Sequence, residues 1–316
     1  MRVLVTGGTG YIGTTLLRRF PVNHTPVALV RSSSRTELLP GDIETVSGDV
    51  TDKESLVDAM SNIDAVVHMA AVNPGSRNSP EITSNVSEEV FRQVNIQGSK
   101  NVFEAAANAG VESVIYLSTT KAHPEVEVEN ASMYVRTKQK GGNLLNTVEY
   151  PFDYSIIHPT YVMGKRDYRL KRYEPFRLAA SNALLVPPMY TPGKINIVHV
   201  ETIADSILYY LQQPTNNHHM ISGRNVDRQI FAKELASLSE HRTVVLDIPF
   251  RKTLLPFGVK AIDKIGAANV DADRLVLDAQ TGTVPSVQEQ RAPVSGKSWK
   301  EAVRDTWRWY ESVGLL

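Results

Sequence analysis

Three segments of the chain place a tyrosine four residues before a lysine: YVRTK at 134–138, YVMGK at 161–165 and YTPGK at 190–194. A phenol and an ammonium that are held together could act as a proton-transfer pair. On an α-helix, residues i and i+4 lie on one face, so a helical pair can act together. The first question is therefore which of the three segments can form a helix.

The segment that contains Tyr134 and Lys138 meets this requirement best. Its surroundings, SMYVRTKQK at 132–140, lack glycine and proline and contain good helix formers. YTPGK contains a Pro-Gly turn signal, while YVMGK follows Pro159 closely and contains Gly164, which predicts a strand end and a turn. The sequence therefore favours Tyr134 and Lys138 as the catalytic pair.

A hydroxyl group that could join this pair lies upstream, in YLSTTKAH at 116–123. Thr120 precedes Tyr134 by 14 residues and follows the end of a predicted strand. In a doubly wound sheet, the end of the fifth strand lies beside the ligand crevice, and the next helix crosses that crevice. We therefore expect Thr120 and Tyr134 to meet there.

The elements that must position these residues alternate between short apolar runs and helical patterns. Continuous Val, Ile and Leu content is typical of strands buried on both faces of a parallel sheet. We predict strands at 2–6, 26–31, 43–48, 65–70, 113–118 and 153–158, and helices near 11–20, 53–60, 86–109 and 131–147. This alternation predicts an α/β fold with a Rossmann-type, doubly wound parallel sheet.

A glycine-rich turn, TGGTGYIG at 6–13, joins the first strand to the first helix, which opens with Tyr11 and Ile12. Its glycines fit both G-x-G-x-x-G and G-x-x-G-x-x-G; they are Gly7, Gly8, Gly10 and Gly13. Such glycines permit a tight turn, a close approach to a pyrophosphate, and close packing of helix on strand. N–H groups at the helix N-terminus then face the phosphates. The turn therefore predicts a dinucleotide site.

The residues after the second strand indicate which dinucleotide is bound. An acidic side chain there would hold the ribose 2′-hydroxyl of NAD, but this chain reads VRSSSR at 30–35. The guanidinium groups of Arg31 and Arg35 suit a 2′-phosphate, so the sequence favours NADP over NAD; a solvated polar loop is the alternative. Asp49, which precedes Val50 after the third strand, could meet the adenine amino group, or Asp49 or Asp52 could cap the next helix.

After about residue 160 the alternation breaks. Residues 195–212 predict a further strand and helix and 219–223 another strand, and we expect both strands to return to the sheet. Helices are predicted near 228–239, 251–266 and 297–312, with an irregular stretch at 280–296. The expected division is a Rossmann domain of residues 1–162 plus about 195–223, and a smaller, mostly helical C-terminal substrate domain of residues 163–194 plus 224–316.

Composition argues against several classes of function. Thirty-four basic and 34 acidic residues give the 316-residue chain a formal net charge of zero, so no global field favours nucleic acid or an anionic membrane. The absence of cysteine excludes disulfides, thiol nucleophiles and zinc knuckles. A strand pattern begins at the N-terminus and no apolar run could span a bilayer, so we expect a cytoplasmic protein.

Together, the motifs resemble the extended branch of the short-chain dehydrogenase/reductase superfamily, which includes the NAD-dependent epimerase/dehydratase family. The matching segments cover about 1–223 and are, in order, TGGTGYIG, GDVTD, VVHMAA, VNIQGSKNV, YLSTT, YVRTK, HPTYVMG, NIVHVETIAD and MISG. VALVRSSSR and HPTYVMG look most like dihydroflavonol reductases and 3β-hydroxysteroid dehydrogenases.

The resemblance implies roles for the candidate catalytic residues. Tyr134 would be the general acid/base, because Lys138 and the oxidised nicotinamide would lower the pKa of its phenol. Lys138 would also bind the nicotinamide ribose, and Thr120 would bind the substrate oxygen, with Thr119 or Ser118 as the less favoured choices. The implied catalytic set includes a fourth member, Asn95, which would support a proton path or the helix geometry. The predicted cofactor contacts are Gly7, Gly10, Tyr11, Ile12, Gly13, Arg31, Arg35, Asp49, Val50, Ala70, Ala71, Lys138 and Pro159.

The implied reaction is reversible hydride transfer between NADP and a secondary alcohol or ketone of a small-molecule substrate, in a chain that could form a homodimer. A nucleotide-sugar epimerase or dehydratase is one alternative, and the basic segment at 165–177 favours it. His158 and Tyr161, which stand where epimerases usually have Arg and Asn, count against it. A non-catalytic NADP sensor is a second alternative, although such sensors typically lose the Tyr-Lys pair.

Some remaining features predict structure rather than chemistry. Gly141 and Gly142 follow the catalytic pair and weaken a helix by about 1 kcal/mol each, which indicates close packing there. The histidines show no metal-binding spacing; His199 is expected to be buried, and His218 and His219 to point to opposite sides of a strand. Trp299, Val303 and Trp307 share one helical face and predict a packing surface.

Overall fold

The computed structural model describes residues 1–73, 86–128, 131–168, 170, 173–180, 194–240 and 292–316. Its strands are β1 (Arg2–Thr6), β2 (Thr25–Val30), β3 (Glu44–Ser47), β4 (Ala65–His68), β5 (Ser113–Leu117), β6 (Asp153–Pro159), β7 (Tyr161–Met163), β8 (Lys194–His199), β9 (Asn217–Ile221) and β10 (Arg224–Asp227). Every strand expected from the sequence is found, within two residues at each end.

The helices of the described residues also follow the expected pattern. They are α1 (Tyr11–Leu17), α2 (Lys53–Ala59), α3 (Glu88–Arg92), α4 (Gly98–Asn108), α5 (Met133–Thr147), α6 (Tyr173–Ala180), α7 (Val200–Gln212), α8 (Arg228–Leu238) and α9 (Trp299–Ser312). The helix expected at 86–109 is divided, because a π-helical turn at Gln93–Gln97 separates α3 from α4. The helix expected near 251–266 lies outside the described residues.

The main sheet has seven parallel strands in the order β3-β2-β1-β4-β5-β6-β9. Alternate residues of β1 enter two different cores: Leu4 packs under α2 and α4, whereas Val3 and Val5 pack under α1 and α7. The two-sided burial explains the continuous apolar runs in the sequence and confirms the Rossmann-type fold. The strand order reverses between β1 and β4, which opens a crevice at the carboxyl ends of these strands.

One strand expected in the main sheet lies elsewhere. β8 (Lys194–His199) pairs in parallel with β7 and antiparallel with β10, in a separate three-stranded sheet. The physical reason is that β9 occupies the place beside β6, with Ser155 opposite Asn217 and Pro159 opposite Ile221. The expectation was therefore correct for β9 and wrong for β8.

The C-terminal helix packs on this second sheet. Trp299, Val303 and Trp307 of α9 are buried together with Met163 and Ile197 of the sheet, which confirms the expected packing face. A capping box between Ser298 and Glu301 fixes the start of the helix. None of the helices in the described residues is long and apolar enough to cross a membrane.

Candidate active site

The glycine-rich turn lies against the carboxyl end of β4. Gly7 has a φ of +73°, and a Cβ there would lie 2.8 Å from the backbone nitrogen of Ala70. A Cβ on Gly13 would lie 2.3 Å from the carbonyl oxygen of Gly7, so a side chain is excluded there as well. The Thr6 hydroxyl accepts a hydrogen bond from the N–H of Ala70 at 3.1 Å. The turn and the Ala70–Ala71 segment therefore form one continuous backbone surface at the crevice.

Arg31 and Asp49 lie side by side where β2 and β3 end. Their closest charged atoms are 3.8 Å apart, and the Arg31 side chain is 59% exposed. Arg35 instead pairs with Glu37 at 3.1 Å. The role of helix cap belongs to Asp52, which accepts from two N–H groups at the start of α2. An exposed guanidinium and a carboxylate are thus presented together at this edge of the crevice.

Helix α5 carries the Tyr134–Lys138 pair on its first two turns. Ser132 caps the helix by accepting from the N–H of Val135. Tyr134 is half-buried and Lys138 is 1% exposed. Within the described part of the chain, Nζ of Lys138 has no hydrogen-bond partner. Burial lowers the pKa of Lys138 from 10.5 to about 7, because an ammonium without solvent or a counter-ion is unfavourable.

Aromatic and neutral polar groups form the walls around this ammonium. Nζ of Lys138 lies 3.9 Å from the centroid of the Tyr116 ring, a distance typical of a cation–π contact. The Tyr116 hydroxyl donates to the carbonyl oxygen of Lys138 at 3.3 Å, and burial raises the pKa of this phenol. His68 packs against Tyr116 with the ring centroids 5.6 Å apart. Tyr116 and His68 were not predicted as site residues; their only signal in the sequence is an aromatic residue in each of two core strands.

The buried His68 is held in one neutral form. Its ring nitrogens contact the hydroxyls of Thr6 (2.7 Å) and Ser99 (3.0 Å), and Ser99 donates in turn to the carbonyl of Asn95. Burial, with the nearby charge of Lys138, lowers the pKa of His68 to about 3. The imidazole therefore stays uncharged at neutral pH and adds no positive charge beside Lys138.

Asn95 lies in the π-helical turn and connects it to α5. Its amide nitrogen donates to the Thr137 hydroxyl at 3.0 Å and to the carbonyl of Val72 at 3.1 Å, while its amide oxygen accepts from the N–H of Val72 at 2.8 Å. Single π-helical turns often occur at functional sites. Among the alternatives left open for Asn95, these contacts favour a role in positioning the helix.

The three hydroxyls that follow β5 have different surroundings. Thr120 is 4% exposed and donates to the carbonyl of Pro159 at 2.7 Å, so its hydroxyl hydrogen is already used within the fold. Thr119 is half-buried, and its hydroxyl makes no hydrogen bond to the described residues. Ser118 Oγ is buried, also without a partner in the described ranges. This geometry favours Thr119 over Thr120 as the hydroxyl that can meet a ligand.

The other two Tyr-x-x-x-Lys segments are not helical where they are described. Tyr161 begins β7, and Gly164, with a φ of +142°, makes the turn that follows. Lys194 begins β8, while residues 190–193 lie outside the described residues, as does part of the basic segment at 165–177. The structure thus supports the choice of 134–138 on the criterion of helicity.

The histidines behave as their positions in the strands predicted. His199 is fully buried, accepts from the N–H of Glu201 and contacts Asp305 at 3.1 Å. The ammonium of Lys297 lies between the two acidic side chains, 3.0 Å from Glu201 and 3.1 Å from Asp305, so the cluster is an ion-pair network. His218 and His219 contact groups on opposite faces of β9, as expected.

The residues at the crevice fit a nicotinamide dinucleotide. The glycine turn excludes side chains where a pyrophosphate would approach, and the ammonium of Lys138 is buried without a hydrogen-bond acceptor in the described ranges. An unpaired buried donor is unfavourable, and a ribose hydroxyl would satisfy it. The site therefore has both a cradle for the phosphates and an unused donor for the nicotinamide end.

Comparisons with known proteins agree with this geometry. The family model for the NAD dependent epimerase/dehydratase family matches residues 3–222. A Synechocystis sp. protein named as a dihydroflavonol 4-reductase is 24% identical, with 99% of this chain and 95% of the relative covered. A 3-beta-hydroxysteroid dehydrogenase of Mycolicibacterium neoaurum is 34% identical over a segment that covers 37% of this chain and 32% of the length of that relative.

Among solved structures, the UDP-glucose 4-epimerase of Thermotoga maritima with UDP-glucose has the same fold. It superposes with a TM-score of 0.72 at 18% identity, with 99% of each chain covered. The family model spans more than half of the chain, and the matched range includes the glycine turn and, apart from Arg2, all seven strands of the main sheet. The chain therefore belongs to the NAD-dependent epimerase/dehydratase family and is an NAD(P)-dependent enzyme of the extended short-chain dehydrogenase/reductase type.

Proposed function

We propose that this enzyme transfers a hydride reversibly between NADP and a secondary alcohol or ketone, with Tyr134 as the general acid/base. The observation that carries the proposal is the ammonium of Lys138, which is buried one helical turn after Tyr134 without a partner in the described residues. A positive charge placed there stabilises the phenolate form of a neighbouring tyrosine. The bound nicotinamide supplies the hydride chemistry.

The chain's own residues would divide the proton work as follows. Tyr134 gives its phenolic proton to the substrate oxygen during reduction and takes it back during oxidation. Lys138 holds the nicotinamide ribose and lowers the pKa of the Tyr134 phenol by its charge. We further propose that Thr119 binds the substrate oxygen in place of Thr120, because the Thr120 hydroxyl already donates to Pro159.

Replacement of Tyr134 by Phe tests the proton transfer. Screening NADPH oxidation against a carbonyl library identifies a working substrate, and Tyr134→Phe is expected to lower kcat/KM for it by about 10²-fold or more, since general acid/base groups contribute 10²–10⁴-fold. Tyr209→Phe, on the exposed side of α7, is the matched control and should be unchanged. Intact turnover in Tyr134→Phe would falsify the assignment.

Arg31 tests the choice of NADP over NAD. We propose that its exposed guanidinium binds the 2′-phosphate. Arg31→Ala should weaken NADP binding by about tenfold or more, because a charge-assisted hydrogen bond contributes about 1.5–3 kcal/mol. The affinity for NAD, which has no 2′-phosphate, should stay within about twofold of the wild-type value. The exposed Arg92, paired with Glu88 on α3, provides the control variant Arg92→Ala. Equal losses for both dinucleotides in titration calorimetry contradict the NADP assignment.

An epimerase or dehydratase would use the same three side-chain types, but with transient oxidation of the substrate and a retained cofactor. Several of the relatives carry such names, including a UDP-N-acetylglucosamine 4,6-dehydratase of Campylobacter jejuni that is 34% identical over 43% of this chain. One relative that is matched along nearly its whole length carries a reductase name, which supports the reductase proposal. Gel filtration of the protein with its cofactor separates the two: a reductase releases the dinucleotide, whereas an epimerase retains it.

A further inference from the structure

A chain of hydrogen bonds leads from the surface of α5 to the segment that follows β5. The Tyr154 hydroxyl donates to the amide oxygen of Asn146, whose nitrogen contacts Nε2 of His218; both distances are 2.9 Å. Nδ1 of His218 contacts Nε2 of His158 at 2.9 Å. Nδ1 of His158 contacts the carbonyl oxygen of Thr119, also at 2.9 Å. Helix α5, strands β6 and β9, and the segment after β5 are thereby linked through two imidazoles.

The partners at the two ends determine where every hydrogen lies. A carbonyl oxygen can only accept, so Nδ1 of His158 carries a hydrogen and donates to Thr119. In a neutral ring Nε2 of His158 must then accept, and Nδ1 of His218 donates to it. Nε2 of His218 accepts in turn from Asn146, whose oxygen accepts from Tyr154. All donors therefore point inward, and both imidazoles are neutral Nδ1–H tautomers.

The surroundings of the pair favour this neutral state. His158 is 1% exposed, and the ring of His123, from the turn after β5, lies 4.8 Å from it and 5.8 Å from His218. Lys138 of α5 adds a positive charge, and burial, with these neighbours, lowers the pKa of His158 to about 3 and that of His218 below its ordinary value. Among the described residues, Tyr154 on β6 and Glu125 beside His123 are further titratable groups near the pair, whereas His219 lies on the other face of β9.

The hydrogen-bond chain ends at the backbone carbonyl of Thr119, the residue proposed to bind the substrate oxygen. The Thr119 carbonyl accepts from His158 and also from the N–H of Ala122 at 2.8 Å, which closes the short turn Thr120–Ala122. Holding this carbonyl fixes the peptide plane, and with it the direction in which the extended Thr119 residue presents its hydroxyl. We propose that His158, supported by His218, is a positioning residue that orients Thr119 for the reaction.

The first test uses the protein without substrate and does not depend on the proposed function. Nitrogen-15 NMR of histidine-labelled protein at pH 7 should show His158 and His218 as neutral Nδ1–H tautomers. An Nε2–H tautomer at His158, or a charged ring, overturns the proposal, because neither agrees with the ordered chain of donors.

The second test separates the two sides of the His158 ring. An Asn side chain places its amide nitrogen where Nδ1 lies and keeps the donor to Thr119, whereas a Gln side chain reaches the Nε2 position and keeps only the link to His218. His158→Gln should therefore release the Ala122 amide to exchange with solvent about tenfold faster or more, while His158→Asn should retain its protection. The control His219→Gln alters the adjacent imidazole on the other face of β9. It should leave the exchange rate of the Ala122 amide unchanged.

The catalytic consequence rests on the proposed function. With NADPH and the carbonyl compound found in the screen, His158→Gln should lower kcat by about tenfold to a hundredfold with an unchanged KM for NADPH, since small misplacements cost rates of that order. His158→Asn should stay within about threefold of the wild type. Equal losses in both variants, in kcat and in Ala122 protection, identify a packing role and overturn the proposal. If Tyr134→Phe keeps its activity, the proposed reaction fails, while the tautomers and the exchange data still decide the role of His158.

Discussion

Lys138 is a buried cation whose environment, among the described residues, contains aromatic and neutral polar groups instead of a carboxylate. Desolvation is the cause of its lowered pKa, and the cation–π contact with Tyr116 offsets part of the loss. Such an arrangement destabilises the protein without its cofactor. It also keeps an ammonium ready to donate to a ligand that enters the crevice.

Lys138→Met should therefore stabilise the cofactor-free protein. In the unfolded chain the lysine titrates near its ordinary pKa of 10.5, and in the folded chain near 7. Between these values the unfolded state binds more protons, so the penalty is complete below about pH 7 and vanishes as the pH rises toward 10.5. Urea unfolding at pH 7 should show a gain on the order of a few kcal/mol, because each pKa unit corresponds to about 1.4 kcal/mol.

The exposed Lys140 on the same helix provides the control, and Lys140→Met should change the free energy of unfolding by less than about 0.5 kcal/mol. The gain from Lys138→Met should shrink when the measurement is repeated at pH 10. A gain of the same size at both pH values would show that the ammonium is not the cause.

At the scale of elements, helix α5 is held by close contact with the π-helical turn. A Cβ on Gly141 would lie 2.5 Å from the carbonyl oxygen of Asn95 and 2.6 Å from the hydroxyl of Tyr116. Gly141, which weakens the helical propensity of α5, thus has a structural reason, and the close packing expected there from the sequence is confirmed. This contact places Lys138 next to Tyr116.

Gly141→Ala should destabilise the protein although alanine favours helices. The added methyl group meets backbone, which cannot move aside as a flexible side chain does, so overpacking should cost about 1–3 kcal/mol against a gain of about 1 kcal/mol in helical propensity. Gly142→Ala is the matched control, because its Cβ meets only the edge of the Tyr116 ring at 3.3 Å. Thermal unfolding should rank Gly141→Ala below the wild type and below Gly142→Ala; the reverse order would contradict this packing argument.

For the whole molecule, the C-terminal helix fastens the turn that leads out of the Rossmann sheet. The Thr306 hydroxyl accepts from the N–H of Gly164 at 2.8 Å, and the Tyr310 hydroxyl donates to the buried Asp167 at 3.0 Å. Lys297 joins the same helix to the start of α7 through Glu201. The contacts of Thr306 and Tyr310 join residues that are 142 and 143 positions apart, at the beginning of the predicted substrate region.

Thr306→Val should destabilise the protein because it leaves the buried N–H of Gly164 without an acceptor. The expected loss in the free energy of unfolding is about 1–3 kcal/mol. Thr306→Ser keeps the hydroxyl and should remain closer to the wild type. The two variants should be compared by urea unfolding; equal stability of Val and Ser at this position would mean that the hydrogen bond to Gly164 does not matter.

The sequence predicted the fold closely because its signals are local. Continuous apolar runs marked the buried strands, and glycine spacing marked the turn against Ala70. The main error of the prediction was to place β8 in the main sheet. Strand pairing depends on which strand lies beside β6, and that strand is β9, which begins 58 residues after β6 ends. The division of the predicted helix at 86–109 by a π-helical turn had no sequence signal.

The sequence by itself determined the parallel sheet and the glycine-rich turn, because periodicity and short spacings encode them, and on the same grounds it predicted the pair Tyr134 and Lys138. The tertiary structure alone decided that the Lys138 ammonium is buried over Tyr116, and that the Thr120 hydroxyl is used by Pro159, 39 residues later. It alone brought His158 and His218 together beside Thr119. The physical reason is that burial and hydrogen-bond partners depend on contacts between distant segments, which no local spacing records.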